Sequence, residues 1–521
     1  MPATDAVPLE DLVGLPEFYH PDVSPDGSTV ACYYDGTGRN EIYLIDVESG
    51  ERRQLTDGEV PRNAQWYARW DATGDRLLFH DDEAGDEQHD VYAISLDGDV
   101  ERVVAPDGQA VILDSTPSSL LYSSDAGEQL NLYRHDFASD ESIQLTHYDQ
   151  PVLGAWFGPD GERIAYEANE SETLENQDVY VATADGDDVR RFVVGEDGSE
   201  TSLGQWFPDG ERLLVADDAD CLKQVGVLHL GSGDVDWLGP NENEEAAIAV
   251  SPDGETVLAA RDRRAATVPV VYDVATGSGR ELDLPGEGDG VYPYRLLSPG
   301  RVFANDTTVV LPYSTPDRRR RCYAYDLETD DARVLLAPDD GDVDPASFVD
   351  ASYVTYESED GLEIGGLLFD PRDGPARADD ATDLPAVVMV HGGPHYRASR
   401  RYNLYVQFLV SRGYAVLQPN YRGSTGRGRE FKEAIHGDWG GMEQVDVAEG
   451  GRWLMARDWI DADRVAVFGG SYGGYSVYCQ LTQYPTLWTT GIAWIGITDL
   501  HRLFEDDMPH FQHQLLTQMG D

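Results

Sequence analysis

A short turn motif recurs through the first part of the chain, and it constrains the possible folds more than any other feature. Ser24-Pro-Asp-Gly27 has the residue order of a type I turn, in which proline presets φ and glycine closes the turn. Related turns end at positions 27, 74, 119, 161, 210, 254 and 300, which are 42 to 49 residues apart. A steady period of this length indicates an architecture of repeated small units.

A second motif keeps the same period and consists of a strand, a short acidic turn and another strand. Its clearest copy runs from Glu41–Asp46 into Arg53–Thr56. Tyrosine occupies the same place in five copies, at positions 43, 92, 133, 180 and 323. One such unit cannot bury both of its faces alone, so seven units are expected to close into a ring. The sequence therefore predicts an all-β seven-bladed propeller over residues 21–340, after a lead-in of residues 1–20.

The pattern changes after an acidic linker at residues 338–345, and residues 341–521 alternate strands with helices. Continuous apolar strands are predicted at 386–390 and 414–417, as in a sheet covered on both faces. Helices are predicted at 397–412 and 443–458, with a further strand at 492–495. This alternation is typical of an α/β domain with a parallel sheet.

Gly469-Gly-Ser-Tyr-Gly473 carries the strongest chemical signal in this second part. It fits Gly-x-Ser-x-Gly, follows the apolar strand 465–468 and precedes a predicted helix, so it matches the nucleophile turn of an α/β hydrolase. Gly469, Gly470 and Gly473 would let the strand and helix approach each other without a Cβ in between. The pattern predicts that Ser471 is a nucleophile.

His391-Gly-Gly-Pro394 follows the 386–390 strand. In an α/β hydrolase, a turn of this type donates a backbone N–H to an oxyanion. The alternative interpretation is a plain turn at the end of a strand with a structural histidine, but the serine turn downstream favours the catalytic one.

Four motifs together resemble the prolyl oligopeptidase family of serine peptidases, and within it the acylaminoacyl-peptidase and dipeptidyl-peptidase-like branch. They are His391–Pro394, Asn420–Phe431, Gly437–Gly441 and Gly469–Tyr475. The resemblance implies hydrolysis of short peptides in a site to which the propeller restricts access. It also implies that Ser471 is the nucleophile and that the amides of Gly393 and Tyr472 form the oxyanion hole.

The chain is expected to depart from this family in one respect, the triad acid and histidine. In this fold the acid and the histidine of the triad follow the serine, from later strands. Only 50 residues of the sequence follow Ser471, so we expect a hydrolase domain that lacks its last strands, with no triad Asp or His in the chain. His501, His510 and His513 are expected to lie over the substrate pocket instead.

Three hypotheses follow for this chain. It is a shortened and inactive peptidase or pseudoenzyme, a peptidase completed by a separate C-terminal polypeptide, or a non-catalytic propeller protein used for binding. Substrate preference among acyl-amino, dipeptidyl and endopeptidase types stays open.

The net charge of the chain limits which classes of partner are expected. The chain has 97 Asp and Glu against 38 Lys and Arg, a net charge of −59, and only two lysines, Lys223 and Lys432. Acid spread over a whole surface is tolerated where salt screens its self-repulsion, so the composition resembles that of halophilic proteins. Nucleic acid is not an expected partner, because its phosphates would be repelled.

The remaining expectations concern location and bound groups. The N-terminus has no signal-peptide pattern, no apolar run could span a membrane, and the four cysteines are far apart, which together favour a cytoplasmic protein with buried thiols. No metal site or cofactor is expected; the acidic stretch 81–87 is interpreted as a blade loop. The basic run Arg318–Arg321 is interpreted as a solvated blade edge.

Overall fold

The computed structural model describes residues 7–82, 85, 88–284, 288–293, 300–375 and 381–520. Parts of three predicted loops therefore lie outside the described residues: the acidic stretch 81–87, the turn that ends at Gly300 and the polar segment 375–383.

Seven small antiparallel sheets follow one another along the chain, and they confirm the propeller. In the described residues the first six have four strands each and the seventh has three. Blades 1 to 3 contain β1 Phe18–Val23, β2 Thr29–Tyr34, β3 Glu41–Asp46, β4 Arg52–Gln54; β5 Ala68–Trp70, β6 Arg76–Asp81, β7 Asp90–Ser95, β8 Val100–Val104; and β9 Ala110–Ser115, β10 Ser119–Ser124, β11 Asn131–Asp136, β12 Glu141–Gln144. Blades 4 to 7 contain β13 Ala155–Phe157, β14 Arg163–Ala168, β15 Asp178–Thr183, β16 Arg190–Phe192; β17 Ser202–Trp206, β18 Arg212–Asp217, β19 Gln224–His229, β20 Val235–Trp237; β21 Glu244–Val250, β22 Thr256–Arg263, β23 Ala266–Asp273, β24 Gly279–Glu281; and β25 Thr308–Thr315, β26 Arg318–Asp326, β27 Ala332–Leu336.

The repeated turns join the first and second strands of the blades, as their sequence predicts. The Gly27 N–H donates to the Ser24 carbonyl at 2.9 Å, and the Gly254 N–H donates to the Ser251 carbonyl at the same distance. Gly27 has φ 75°, a left-handed conformation that favours glycine. Four of the repeated tyrosines lie on the third strands of blades 1 to 4, where Tyr180 stacks on Tyr166 of the neighbouring strand at 5.4 Å. Tyr323 lies on β26, the second of the three described strands of blade 7.

The ring closes between blades 1 and 7. One buried cluster combines Phe18, Val30 and Cys32 of blade 1 with Val310 and Cys322 of blade 7. The packing of the two blades therefore depends on apolar side chains from both ends of the propeller sequence.

One basic residue of the run 318–321 contradicts the interpretation of a solvated edge. The side chain of Arg319 is only 5% exposed and is paired with Asp340 at 2.9 Å. Its guanidinium also donates to the carbonyls of Pro16 and Asp339, because the acidic linker folds back over this blade and the lead-in crosses it.

A six-stranded sheet follows the propeller, in the order β28-β29-β31-β30-β32-β33. Strands β30, β31, β32 and β33 are parallel, while β28 and β29 are antiparallel. The strands are β28 Ser352–Glu357, β29 Glu363–Phe369, β30 Leu384–Val390, β31 Ala415–Asn420, β32 Ile460–Gly470 and β33 Thr490–Trp494. The helices of the chain are α1 Leu9–Val13, α2 Leu404–Val410, α3 Arg429–Glu433, α4 Met442–Met455, α5 Tyr472–Gln483, α6 Leu500–Asp506 and α7 Pro509–Met519, with 3-10 turns at Pro345–Ser347 and Pro371–Asp373.

The helix predicted at 397–412 is shorter in the structure and begins only at Leu404. The preceding residues are used for contacts with the propeller instead: the Arg400 N–H donates to the Ala265 carbonyl at 2.7 Å, and Arg397 pairs with Asp262. Tertiary contacts therefore override the local helical pattern at this segment.

The core of this second part lies between β30, β31 and β32 and the helices α4 and α5 on their faces. The lead-in packs in a separate buried cluster, in which Leu12 and Leu15 join Val343 and Phe348, with Leu404 of α2 against them. Among the described helices, none combines the length and apolar character needed to cross a bilayer.

Candidate active site

The chain turns sharply between β32 and α5, and Ser471 lies in that turn. Ser471 has φ 56° and ψ −123°, a left-handed conformation that is strained for a residue with a Cβ. The Ser471 side chain is exposed. The backbone N–H of Ser471 donates to the Trp494 carbonyl of β33 at 3.1 Å. The turn therefore presents a serine hydroxyl to solvent at the carboxyl end of the parallel sheet.

Close backbone contacts require glycine at positions 469 and 473, two residues before and two after Ser471. A Cβ on Gly469 would lie 2.3 Å from the carbonyl oxygen of Gly473, and a Cβ on Gly473 would lie 2.3 Å from the carbonyl oxygen of Val390. At Gly470 the nearest atom would be 3.3 Å away, in the ring of Trp494, so this position is less restricted.

The turn that follows β30 lies beside the serine. A Cβ built on Gly392 would be 3.5 Å from the Ser471 Cβ, and Gly393 has φ 119°. Among the residues that the structure describes, the N–H groups of Gly393 and Tyr472 have no hydrogen-bond acceptor. Two free backbone donors therefore flank the residue that carries the hydroxyl.

Buried polar contacts hold the first residue of α5 in position. The Tyr472 hydroxyl donates to Glu443 Oε1 at 2.8 Å, and the Tyr472 ring stacks on Tyr421. Burial raises the pKa of Glu443 above its usual range. Sequence reasoning missed Glu443, although it lies two residues after the Gly437–Gly441 motif.

A second buried group braces the loop that follows β31. Arg422 forms two side-chain hydrogen bonds of 2.9 Å with Asp446 of α4, and the Ser358 hydroxyl donates to the same carboxylate. Paired donors of this kind fix both distance and orientation. The loop thereby keeps a defined position next to the His391 turn.

Both ring nitrogens of His391 lie within hydrogen-bond distance of neighbouring atoms. Its Nε2 lies 2.9 Å from the Ser424 hydroxyl, its Nδ1 lies 2.8 Å from the Gly392 carbonyl oxygen, and its ring stacks on Tyr421 at 4.3 Å. Burial lowers the pKa of His391 to about 4. These contacts fit a neutral histidine that shapes the turn.

The other histidines near this end of the sheet do not reach the serine either. His501 lies exposed on α6, whereas His510 and His513 of α7 line a cavity against the propeller. Within the described ranges no histidine hydrogen-bonds to the Ser471 hydroxyl, and no group of three or more His, Cys, Asp or Glu side chains is arranged to hold a metal ion.

A cavity of about 340 Å³ lies between the propeller and the hydrolase domain. Its lining includes His395 and Tyr396, which directly follow the turn after β30. The only two lysines of the chain meet there at Glu200, with Lys432 Nζ at 2.6 Å and Lys223 Nζ at 3.6 Å. Glu200 is desolvated by burial, yet the two ammonium groups hold its pKa down at about 2. Sequence reasoning missed this contact, although the rarity of lysine was a signal.

A propeller followed by an α/β sheet with a strained, exposed serine at its carboxyl end defines the class of propeller-bearing α/β hydrolases. Comparisons with known proteins agree with this class. Residues 400–519 match the model of the prolyl oligopeptidase family. The dipeptidyl aminopeptidase BIII of Pseudoxanthomonas mexicana is 27% identical over 99% of this chain and 76% of its own length.

Two further similarities concern a shorter segment and the fold. The acylamino-acid-releasing enzyme of Rattus norvegicus is 36% identical over 132 residues, which are 25% of this chain and 18% of that protein. A puromycin-hydrolysing peptidase of Mycobacterium tuberculosis superposes with a TM-score of 0.80 at 20% identity, covering 100% of this chain and 84% of that one. These matches confirm the resemblance to the prolyl oligopeptidase family of serine peptidases that was found in the sequence.

Proposed function

We propose that this protein hydrolyses short peptides by acyl transfer through Ser471. The observation that carries the proposal is the exposed hydroxyl of Ser471 on a strained turn, next to two backbone N–H groups without acceptors. Such donors stabilise the charge that develops on a carbonyl oxygen during acyl transfer. The amides of Gly393 and Tyr472 are the proposed oxyanion hole.

In the proposed reaction, Ser471 Oγ attacks the carbonyl carbon of the scissile peptide bond, and its proton passes to a general base. The carbonyl oxygen becomes an oxyanion that accepts hydrogen bonds from Gly393 and Tyr472. Collapse of this intermediate breaks the C–N bond, and the amine leaves with a proton from the protonated base. Water then attacks the resulting ester, which releases the acid and regenerates the serine.

A serine hydroxyl without a base is a poor nucleophile. Because no histidine among the described residues reaches Ser471, we propose that residues 1–521 alone have negligible or partial activity. We further propose that a separate C-terminal polypeptide supplies the acid and the base.

The edge strand β33 supports this second proposal. Parallel strands are normally covered on both faces and paired on both sides. Ile492 is 56% exposed and Trp494 is 53% exposed, so one face of this edge strand presents apolar side chains. The Trp494 carbonyl accepts a hydrogen bond from the Ser471 N–H, so a strand docked beside β33 would end near the serine.

Short peptides are the proposed substrates because the cavity lined by His395 and Tyr396, about 340 Å³, lies at the lower end of the range for small-ligand pockets. The names of two relatives, a dipeptidyl aminopeptidase and an acylamino-acid-releasing enzyme, are compatible with this proposal. The second candidate function is a non-catalytic binding protein or pseudoenzyme. It is favoured by the lack of a base beside Ser471 in the described ranges.

The experiment that separates these candidates uses the 521-residue chain in molar KCl. It combines a fluorophosphonate probe with chromogenic acyl-amino, dipeptidyl and endopeptidase substrates. We expect weak labelling and negligible turnover by the chain alone, and a gain of both when a C-terminal polypeptide carrying the acid and the histidine is added. Ser471→Ala should abolish the gain, whereas Ser232→Ala, at an exposed serine of a blade turn, should not.

If the chain alone shows turnover and Ser471→Ala abolishes it, the proposal that the chain lacks a general base is contradicted. His501, His510 and His513 would then be tested as the base. Turnover that survives Ser471→Ala would overturn the assignment of Ser471 as the nucleophile. Binding of peptides without any gain of turnover would favour the non-catalytic candidate.

We also infer that the protein works in a salt-rich cytoplasm. The net charge of −59 supports the inference of a salt-rich environment, because screening by ions removes the repulsion among dispersed carboxylates. All four cysteines are free thiols, and Cys32 and Cys322 are buried, which is compatible with a reducing compartment. Free thiols trapped by alkylation in lysates of the source cells would test the redox part of this inference.

A further inference from the structure

The arginine run Arg318–Arg321 lines a cavity that the proposed reaction does not use. This cavity has a volume of about 280 Å³ and lies between β26 of blade 7 and the linker, which contributes Pro338, Asp340 and Phe348 to its walls. Four arginines and only two aspartates, Asp317 and Asp340, belong to the lining, whereas the whole chain has 97 acidic against 38 basic residues. The cavity therefore reverses the charge balance of the chain.

A bulge in β26 explains how consecutive arginines reach one cavity. The register of β26 with β25 shifts between Arg318 and Arg321, so that Arg319 and Arg320 together lie opposite Ser314. A bulge interrupts the alternation of side chains along a strand and redirects them. The guanidiniums of Arg319 and Arg320 accordingly both donate to backbone carbonyls at the start of the propeller.

Several hydrogen-bond donors of this cavity have no acceptor. The Nε atoms of Arg319 and Arg320 are buried, and neither has a partner within the described part of the chain. The Arg319 side chain is only 5% exposed, so its Nε cannot turn to bulk solvent. Asp340 compensates the charge of Arg319, but among the described residues neither Arg320 nor Arg321 is paired with a carboxylate. Buried donors without acceptors are unfavourable, so the lining is suited to a ligand that supplies them.

The electrostatic environment favours a negative ligand. Burial lowers the pKa of Arg320 below its usual range, although Glu17 opposes this shift. The Tyr402 hydroxyl also lacks a partner, and the Tyr402 ring packs on the wall residue Phe348 at 4.9 Å. Burial raises the pKa of Tyr402 to about 12 against the charge of Arg319, so this hydroxyl is neutral near pH 7. An anion would offset the desolvation of the guanidiniums, whereas a cation would increase the repulsion.

The donors and the volume of the cavity define the class of anion. Guanidiniums match the geometry of oxyanions, phosphate above all, through parallel N–H donors. Donors come here from three residues, and a phosphate group has more acceptor oxygens than a carboxylate. A volume of about 280 Å³ lies just below the range of about 300–1,000 Å³ for drug-sized ligands, so the ligand is a small one.

We propose that this cavity binds a phosphate group, as the free ion or as a small phosphate monoester, through Arg319 Nε, Arg320 Nε and the Arg321 guanidinium. The ligand would contact blade 7 and the linker together, at the junction of the two domains. Ser471 is not part of this lining, so the site is independent of peptide hydrolysis.

The test titrates the 521-residue chain by calorimetry in molar KCl, with inorganic phosphate and, separately, with glycerol 3-phosphate. The probe that binds more tightly identifies the source of the phosphate group, and the excess of chloride ensures that only a preference for phosphate is detected. Arg321→Gln should weaken binding about 10- to 100-fold, because it removes a hydrogen bond between charged groups. Arg62→Gln removes the same charge from an exposed propeller residue outside the cavity and should leave the affinity unchanged.

A second pair of variants leaves the arginines in place. Ala346 is exposed and lines the cavity, so a longer side chain there does not disturb a buried contact. Ala346→Glu should weaken binding at least about 10-fold, because its carboxylate would compete with phosphate for the guanidiniums. Ala346→Gln has nearly the same size without the charge and should retain the affinity. This pair keeps the test decisive if Arg321→Gln lowers the melting temperature.

Weaker binding in Arg321→Gln and Ala346→Glu, with unchanged affinity in Arg62→Gln and Ala346→Gln, would support the proposal. It would be overturned if a chain with a normal melting temperature bound neither probe, or if the control variants weakened binding equally. Water or chloride would then occupy the donors instead. Neither result depends on turnover, so failure of the hydrolysis proposal would be seen separately.

Discussion

At the scale of single residues, the geometry of the serine turn depends on atoms that are absent from glycine. A methyl group at position 473 would meet the Val390 carbonyl oxygen at 2.3 Å, so the strand or the helix would have to move. We predict that Gly473→Ala lowers the free energy of unfolding by about 1–3 kcal/mol, the usual cost of overpacking. Urea denaturation in molar KCl measures this change.

Gly231→Ala is the matched control for this substitution. Gly231 lies in an exposed turn of blade 5, and a Cβ there would meet nothing within 4 Å. Its change in unfolding free energy should be near zero. An equal loss in the two variants would mean that contacts at the serine turn do not restrict position 473.

This residue scale also marks a limit of sequence reasoning. The local pattern 469–473 predicted a turn that the structure contains, because glycine spacing encodes it within a few residues. Glu443 and the Lys432–Glu200 pair were not predicted, because each contact joins residues far apart in sequence. The roles of Ser471, Gly393 and Tyr472 stay predictions that require activity measurements.

At the scale of elements, the open strand β33 has a physical consequence. Its apolar side chains favour pairing with another strand, including one from a second copy of the chain. We predict that Ile492→Lys reduces self-association at high protein concentration, since a lysine at an open edge opposes strand addition. Sedimentation velocity measures the effect.

Val189→Lys is the control for the edge-strand prediction. Val189 is 52% exposed on the propeller, close to the 56% of Ile492, but it does not lie on an unpaired edge of the parallel sheet. An equal reduction in the two variants would point to charge alone as the cause. The Ile492→Lys variant should also lose the gain of activity from an added C-terminal polypeptide.

The elements themselves were predicted to different degrees. The blades were found because turns and tyrosines repeat with a fixed period, which averages out local errors. The helix expected at 397–412 was wrong over its first turns, because Arg397 and Arg400 bind the propeller there. Arg319 was wrongly expected in solvent for a related reason: the segment that covers it is distant in sequence.

At the scale of the whole molecule, ion pairs join the two domains. Arg397 of the hydrolase domain forms a hydrogen bond of 2.6 Å with Asp262 of blade 6, and their side chains are only 13% and 6% exposed. Removing one partner would leave a buried charge uncompensated. We predict that Arg397→Met costs about 3–5 kcal/mol of unfolding free energy, and that adding Asp262→Asn recovers part of the loss.

An exposed pair provides the comparison. Arg502 and Asp499 lie 4.0 Å apart with 79% and 50% of their side chains exposed, so Arg502→Met should cost less than about 1 kcal/mol. Similar losses at the two sites, or no recovery in the double variant, would show that the buried pair does not couple the domains.

The last prediction concerns the charge of the entire chain. With a net charge of −59, carboxylates repel one another over a screening length of about 30 Å at 0.01 M salt and about 3 Å at 1 M. We predict that the melting temperature rises steeply between dilute buffer and molar KCl, as screening removes that repulsion. Choline chloride at equal ionic strength should give a similar rise, whereas glycerol, which does not screen charge, should not reproduce the steep dependence on ionic strength. A melting temperature that stays the same from dilute to molar salt would contradict a halophilic protein, because the acidic surface would then carry no electrostatic cost for salt to relieve.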